Sequence, residues 1–154
     1  MQAGSEHGML VSYDKQLIEE NRIQKRMTKS QTRALIVTHR ESLQNGLQAL
    51  VMSIPQVDII DQVDNGAQAL QIIQEHRPDL VLLDTNLPND EEWQMLERIK
   101  TLWPEIRCVV LADDVRQQRE AVTLGADLVL LKGFPPAKLV ETIETIVAKE
   151  NTSL

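Results

Sequence analysis

The chain has 154 residues, of which 42% are hydrophobic and 25% charged, a composition typical of a single soluble globular domain. No apolar run approaches the roughly 18 residues that span a membrane, and the N-terminus lacks the basic start and apolar core of a secretory signal. Cys108 is the only cysteine, which excludes an intrachain disulfide and favours a buried thiol in a cytoplasmic protein.

Charge is divided unevenly along the chain, whose net charge is −7. Residues 1–33 hold six Lys or Arg and four Asp or Glu (net +2), whereas residues 34–154 hold ten and nineteen (net −9). An acidic body of this kind is a poor binder of nucleic acid by itself. The basic stretch before it is typical of a solvated linker, with a polyanion contact as the alternative. Its members are Arg22, Lys25, Arg26, Lys29 and Arg33.

Residues 1–32 are predicted to form an N-terminal extension that is partly helical or disordered. A helix there would carry Leu10, Tyr13 and Leu17 on one face, but Glu20 and Asn21 interrupt that face further on. The signal for a coiled coil is therefore weak. We expect a frayed helical extension, with a helix that pairs two copies of the chain as the alternative.

From Arg33 onward, short apolar segments alternate with amphipathic ones. The apolar segments predict five strands, namely ALIV, VDII, DLVLLD, IRCVVLA and DLVLL. The amphipathic segments predict five helices, which begin near Glu41, Asn65, Asp90, Asp114 and Pro135. Gly125 is predicted to end the fourth of them. The alternation predicts a doubly wound α/β domain over residues 33–149, with a parallel sheet covered on both faces and a tail at 150–154.

Polar residues follow the predicted strands. Thr38 and His39 come after the first strand, Asp84 ends the third, and Lys132 follows the fifth, with Ala112 at the end of the fourth. The carboxyl ends of parallel strands meet at one edge, which is where ligands bind in open sheets. We therefore expect these residues to form the functional site.

Four segments carry a family resemblance, and they are DLVLLDTNLP, VVLA, LGADLVLLK and FPPAKLVETI. In this order they resemble the receiver domain of two-component response regulators, most of all the subgroup that usually carries a helix-turn-helix output domain. The resemblance implies a flavodoxin-like (βα)5 sandwich with strand order 2-1-3-4-5. It also implies that Asp84 matches the aspartate phosphorylated by a histidine kinase, and that Lys132 matches the lysine that contacts the phosphoryl group.

The same positions show departures from the family pattern. Thr38 and His39 stand where the family has the acid pair that holds Mg²⁺, and Ala112 stands where it has the Thr or Ser that reads the phosphoryl group. Asp84 and a backbone carbonyl near Asn86 would make a poor Mg²⁺ site, and an imidazole is a mismatched ligand. We therefore expect a pseudo-receiver that has no cofactor and binds Mg²⁺ weakly or not at all.

The lost metal leaves Asp84 without a positive partner. We expect His39, Arg40 or Lys132 to pair with it and to supply the charge that Mg²⁺ would bring. The alternative for Arg40 is a side chain that points to solvent.

Three functions are compatible with these residues. The leading interpretation is a phosphorylation-independent module whose protein partner is a histidine kinase, an output domain or a second copy of the chain. The alternative is a working response regulator phosphorylated on Asp84. A different α/β enzyme is disfavoured because no glycine-rich phosphate loop follows the first strand, so we expect no enzyme activity. Nucleic acid and membranes are not expected partners of this chain alone. The expected partner face comprises Arg116, Arg119, Glu120, Val129 and Lys138.

Overall fold

The computed structural model describes residues 31–152. The predicted N-terminal extension, the alternative of a helix that pairs two copies, and the basic stretch up to Lys29 lie outside the described residues. The first strand begins at Thr32, two residues before the predicted segment ALIV, and the last helix continues to Thr152, into the predicted tail at 150–154.

Strands and helices alternate through the described chain. The strands are β1 (Thr32–Val37), β2 (Val57–Val63), β3 (Leu80–Asp84), β4 (Arg107–Ala112) and β5 (Leu128–Leu131). The helices are α1 (Glu41–Met52), α2 (Gly66–His76), α3 (Glu91–Leu102), α4 (Val115–Thr123) and α5 (Pro136–Thr152), with a 3-10 turn at Pro88–Asp90. All strand pairs are parallel, in the order β2-β1-β3-β4-β5. The predicted fold and strand order are confirmed.

The sheet separates two aliphatic layers. Ile36 and Leu82 face α1 and α5, whereas Leu35 and Leu83 face α2, α3 and α4. This alternation follows from the period of two residues along a strand, and both faces are apolar because helices cover both. No helix among residues 31–152 is long and apolar enough to cross a bilayer.

The helical spacing of apolar residues predicts that Leu47 and Val51 of α1, and Ala67 and Ile73 of α2, lie on the apolar faces of these helices. Leu47 and Val51 of α1 and Ile73 of α2 are buried as expected. Ala67, however, is exposed, and Ala69 is the buried alanine of α2. The reason is geometric, since residues 69 and 73 are four apart and share the face of α2 that meets the sheet.

Hydrogen-bonded caps lie at both ends of α4. Asp114 begins α4, and its side chain accepts a hydrogen bond from the backbone N–H of Gln117 (2.9 Å). Gly125 follows α4 with a left-handed φ of 102°, and the N–H of Ala126 donates to the carbonyl of Ala121 (2.9 Å). This arrangement is a Schellman motif, and it confirms Gly125 as the residue that ends the helix.

Cys108 lies inside β4 and is fully buried. Burial raises the pKa of its thiol to about 12, so the thiolate that would react is disfavoured. The prediction of a buried structural thiol is confirmed.

A partly buried cation joins three segments at the amino edge of the sheet. Lys100 Nζ donates to the carbonyls of Pro104 and Ile106 and pairs with Asp127 Oδ2 (2.9 Å). The same carboxylate oxygen accepts from the backbone N–H of Cys108 (2.7 Å). Lys100 thereby ties α3 to β4 and to the start of β5.

Replacing this lysine is expected to destabilise the domain. Lys100→Met keeps the packing of the stem but leaves two carbonyls without their donor and the Asp127 carboxylate with Arg107 alone (3.4 Å), which costs about 2–3 kcal/mol of unfolding free energy. Arg98→Met on the exposed face of the same helix is the control and should change it by less than about 0.5 kcal/mol. Urea denaturation measures both, and equal midpoints for the two variants would contradict the assignment.

Candidate functional site

Asp84 ends the central strand β3, and its side chain is fully buried. Its two carboxylate oxygens have different partners. Oδ1 pairs with Nζ of Lys132, and Oδ2 accepts a hydrogen bond from the hydroxyl of Thr38 (2.9 Å). A buried carboxylate needs both an opposite charge and hydrogen-bond donors, and this one has both.

Lys132 lies directly after β5, and its backbone N–H donates to the carbonyl of Ala112 (2.8 Å). Its ammonium bridges two acids, since Nζ is also 2.9 Å from Asp113 Oδ1. Asn86 donates to the other oxygen of Asp113 (2.8 Å). These two contacts, that of Lys132 first, hold the pKa of Asp113 below its usual range.

A second set of hydrogen bonds connects the site to α4. Thr85 is buried, and its hydroxyl donates to the side-chain oxygen of Gln117 (2.8 Å). The backbone N–H of Asp113 donates to the same oxygen (2.7 Å). The residue after Asp84 therefore contacts the first turn of α4 directly.

The three cations expected at Asp84 behave differently. Lys132 is the one that pairs with it. His39 and Arg40 are exposed, and Arg40 contributes its backbone N–H to Thr38 Oγ1 (3.3 Å). Ala112 is buried at the end of β4 and can offer no hydroxyl.

Comparisons with known proteins agree with this geometry. The sequence pattern of the response regulator receiver domain matches residues 34–144. The chain belongs to the response regulator receiver family. The expectation of family and fold from the sequence is thus confirmed.

Individual relatives support the same assignment. The nitrate/nitrite response regulator protein NarL of Escherichia coli (strain K12) is 26% identical over 118 residues, which are 75% of this chain and 55% of that protein. The chain thus spans about half the length of this curated relative.

Two solved structures share the fold. One is a two-component response regulator of the LuxR family from Aurantimonas sp. SI85-9A1, with a TM-score of 0.72 and 23% identity over 78% of this chain and 87% of that one. The other is the isolated REC domain of RcsB from Salmonella enterica serovar Typhimurium, solved with the phosphomimetic BeF3−. It has a TM-score of 0.70 and 14% identity over 75% of this chain and 88% of that one.

The residues of this receiver do not fit the Mg²⁺ that the family resemblance implies. Within residues 31–152, no group of three His, Cys, Asp or Glu side chains is placed to hold a metal ion. Thr38 uses its hydroxyl proton on Asp84, and the ammonium of Lys132 occupies the other oxygen of that carboxylate. A second cation at Asp84 would therefore meet repulsion and too few hard oxygen ligands.

Two acidic residues of the site were not predicted from the sequence. Asp113 directly follows the fourth strand, so the reasoning that identified Asp84 could also have found it. Glu92 lies at helical spacing from Leu96 and Ile99, on the buried face of α3. An acid at an apolar position of an amphipathic helix is a readable signal.

Glu92 is almost fully buried, with 2% of its surface exposed, and its Oε1 has no hydrogen-bond partner among the described residues. Burial, with smaller contributions from the charges of Asp90 and Asp84, raises the pKa of its carboxyl to about 7. The turn before it contains Asn89 and Asp90 with left-handed φ values of 58° and 55°. Asn and Asp tolerate this conformation better than other non-glycine residues.

The structure distributes the predicted partner face over two layers. Arg116, Arg119 and Glu120 are exposed on α4, and Val129 is half-buried on β5. Lys138 is exposed on α5, which packs against the opposite side of the sheet. Sequence reasoning missed the apolar part of this region, which consists of the exposed Val115, Val122, Leu128 and Leu131.

The ion pair at Asp84 predicts strong coupling between its two members. Lys132→Met leaves the buried Asp84 carboxylate with Thr38 alone and is expected to cost about 3–5 kcal/mol of unfolding free energy. Adding Asp84→Asn removes the uncompensated charge, so the double variant should recover most of that loss. Urea denaturation of the full cycle measures the coupling, with the exposed Lys138→Met as the control. Additive effects of the two substitutions would contradict the pairing.

Glu92 predicts a loss of stability as pH rises. Its carboxyl titrates near pH 4.5 when unfolded and near pH 7 when folded, so the folded state binds more protons between these values. Stability from this group is therefore complete below about pH 4.5 and is lost as pH rises to 7, by up to about 3 kcal/mol. Glu92→Gln should remove this decline, whereas Glu97→Gln on the exposed face of α3 should keep it. Chemical denaturation from pH 5 to 8 tests this, and parallel profiles for all three proteins would refute it.

Proposed function

We propose that this receiver acts in signal transduction as a phosphorylation-independent protein-interaction module. The observation that carries the proposal is the state of Asp84, whose two oxygens are engaged by Lys132 and Thr38 in a fully buried position. The hydroxyl of Thr38 contacts Asp84 from the position where the family resemblance implies a metal-binding acid, so the pocket lacks carboxylates that would hold Mg²⁺.

The chemistry of phosphoryl transfer supports this proposal. The reaction depends on an in-line nucleophile and on positive charge that stabilises the transferred group. Thr38 and His39, rather than an Mg²⁺-binding acid pair, follow β1, so the residues that would hold a charge-stabilising metal are missing. Ala112 also lacks the hydroxyl that binds the phosphoryl group in the family. The phosphorylation of Asp84 and the response to it therefore both lack a component.

The region around α4 and β5 supports a role in binding protein. Val115, Val122, Leu128 and Leu131 expose between 37% and 59% of their surface, and Arg116 and Arg119 lie on the same helix as the two valines. A helix that exposes both aliphatic residues and arginines is a suitable element for a protein interface. We infer that the partner is a histidine kinase, an output domain or a second copy, and that the chain acts in the cytoplasm.

A working phosphoacceptor is the second candidate. Asp84 and Lys132 keep the pairing of an acid and a lysine at the carboxyl edge, as the family resemblance implies for an active site. This candidate requires Mg²⁺ to displace the ammonium of Lys132 from Asp84.

An amide-resolved NMR titration separates the two candidates. Mg²⁺, followed by Mg²⁺ with beryllofluoride, is expected to give no saturating shifts around Asp84 in the natural chain. A variant with Thr38→Asp and His39→Asp restores the acid pair and should respond to Mg²⁺, which provides the positive control. Saturating shifts that spread from Asp84 to α4 in the natural chain would overturn the proposal.

A further inference from the structure

A polar cavity of about 470 Å³ lies beside the Asp84 site, between the turn that precedes α3 and the first turns of α4. Its volume is within the range of small-molecule and side-chain pockets. Two of its lining residues, Arg116 and Glu120, belong to the expected partner face, whereas Lys132 does not line it. Six of its lining residues carry the argument, and they are Thr85, Asp90, Glu92, Trp93, Arg116 and Glu120.

Glu92 is the unusual member of this lining. Its side chain is buried, yet its Oε1 has no hydrogen-bond partner within the described part of the chain. Burial of a carboxylate without a compensating donor is costly, and proteins normally supply one. Asp84 has such donors in Lys132 and Thr38. Burial raises the pKa of the Glu92 carboxyl, and the backbone N–H groups of Glu92 and Leu87 lower it, but they leave its Oε1 without a donor.

The charges that line the cavity are mostly of the same sign as Glu92. Asp90 comes from the turn before α3 and Glu120 from α4, with the exposed Arg116 as the cation of the lining. Asp84 of β3 also acts on Glu92, but its own charge is paired with Lys132. The half-buried Trp93 adds an aromatic ring to the same cavity. A cavity with these walls favours a ligand that carries positive charge and a flat face.

We propose that this cavity binds the guanidinium group of an arginine side chain from the protein partner. Glu92 accepts the guanidinium N–H donors, and Trp93 offers a ring on which the planar group stacks. Lysine is a poorer match because its ammonium is compact, strongly hydrated and unable to form a two-pronged contact. The inference deepens the proposed interaction module and rests on it, since it names the chemistry by which a partner docks.

Binding by this route is linked to pH. The arginine needs the ionised form of Glu92, whose pKa of about 7 in the free protein means that most of it is protonated at pH 6. Affinity should therefore rise roughly tenfold from pH 6 to pH 8. Asp90 and Glu120 add to the attraction, and Arg116 opposes it.

The test is an amide-resolved NMR titration of the full chain with Nα-acetyl-arginine methylamide. We expect saturating shifts at Thr85, Gln117 and the Trp93 indole, with affinity on the order of millimolar for a single side chain. The citrulline analogue, which has the same shape without the charge, should not bind. Glu92→Gln should weaken binding at least tenfold, and Glu97→Gln on the exposed face of the same helix should not change it.

Several outcomes would overturn the inference. The proposed guanidinium site would be contradicted if the citrulline analogue or a blocked lysine bound as tightly as the arginine derivative. Unchanged affinity in Glu92→Gln would also contradict it. Should Glu92→Gln fail to fold, the carboxyl carbon of Glu92 is titrated in the natural chain instead. Its pKa must fall when the arginine derivative saturates the protein, and a constant pKa refutes the site.

The two proposals fail separately. A chain that responds to beryllofluoride and also binds the arginine derivative would lose the phosphorylation-independent function but keep the cavity assignment. A chain that responds to neither would keep the proposed function and lose this site.

Discussion

The site depends on one interaction, the ion pair between Lys132 and the buried Asp84. The side chain of Asp84 is fully buried, so its charge must be neutralised by neighbouring side chains. Lys132 can reach it because β4 and β5 pair in parallel, which places the residue after β5 beside the end of β4. The sheet order therefore determines which cation serves Asp84, and the exposed His39 and Arg40 of the adjacent loop are not used.

The pairing also explains why the surrounding side chains take the roles that they do. Thr38 donates its hydroxyl to the oxygen that Lys132 leaves free, and Asp113 shares the ammonium from the opposite side. Asn86 donates a hydrogen bond to Asp113, and Gln117 accepts one from Thr85. One cation thus organises contacts from the ends of β1, β3, β4 and β5. The result is a closed polar network, which is rigid because each member has a partner.

The sequence predicts most of the fold because the signals for it are local. Alternation of apolar strands with amphipathic helices, and the glycine after α4, need only neighbouring residues to be read. The choice of Lys132 over His39 and Arg40 is different, since it depends on side-chain reach across the sheet edge. Glu92 shows an intermediate case, because its helical spacing indicates burial but not the missing partner. The position of Ala67 was wrongly predicted for a related reason. Ala67 and Ala69 are two residues apart, and which of them is buried depends on where the sheet lies against α2.

Asp84 and Glu92 are two buried acids in one small region, and their surroundings separate them. Asp84 receives a cation and a hydroxyl from the chain itself, so it has no remaining demand for a ligand. Glu92 receives no such cation, and it faces a cavity that Trp93 and Arg116 also line. Differences of this kind between neighbouring titratable groups indicate function more reliably than the acids themselves do. Among the described residues, Glu92 is therefore a buried acid whose Oε1 lacks a hydrogen-bond partner beside a cavity.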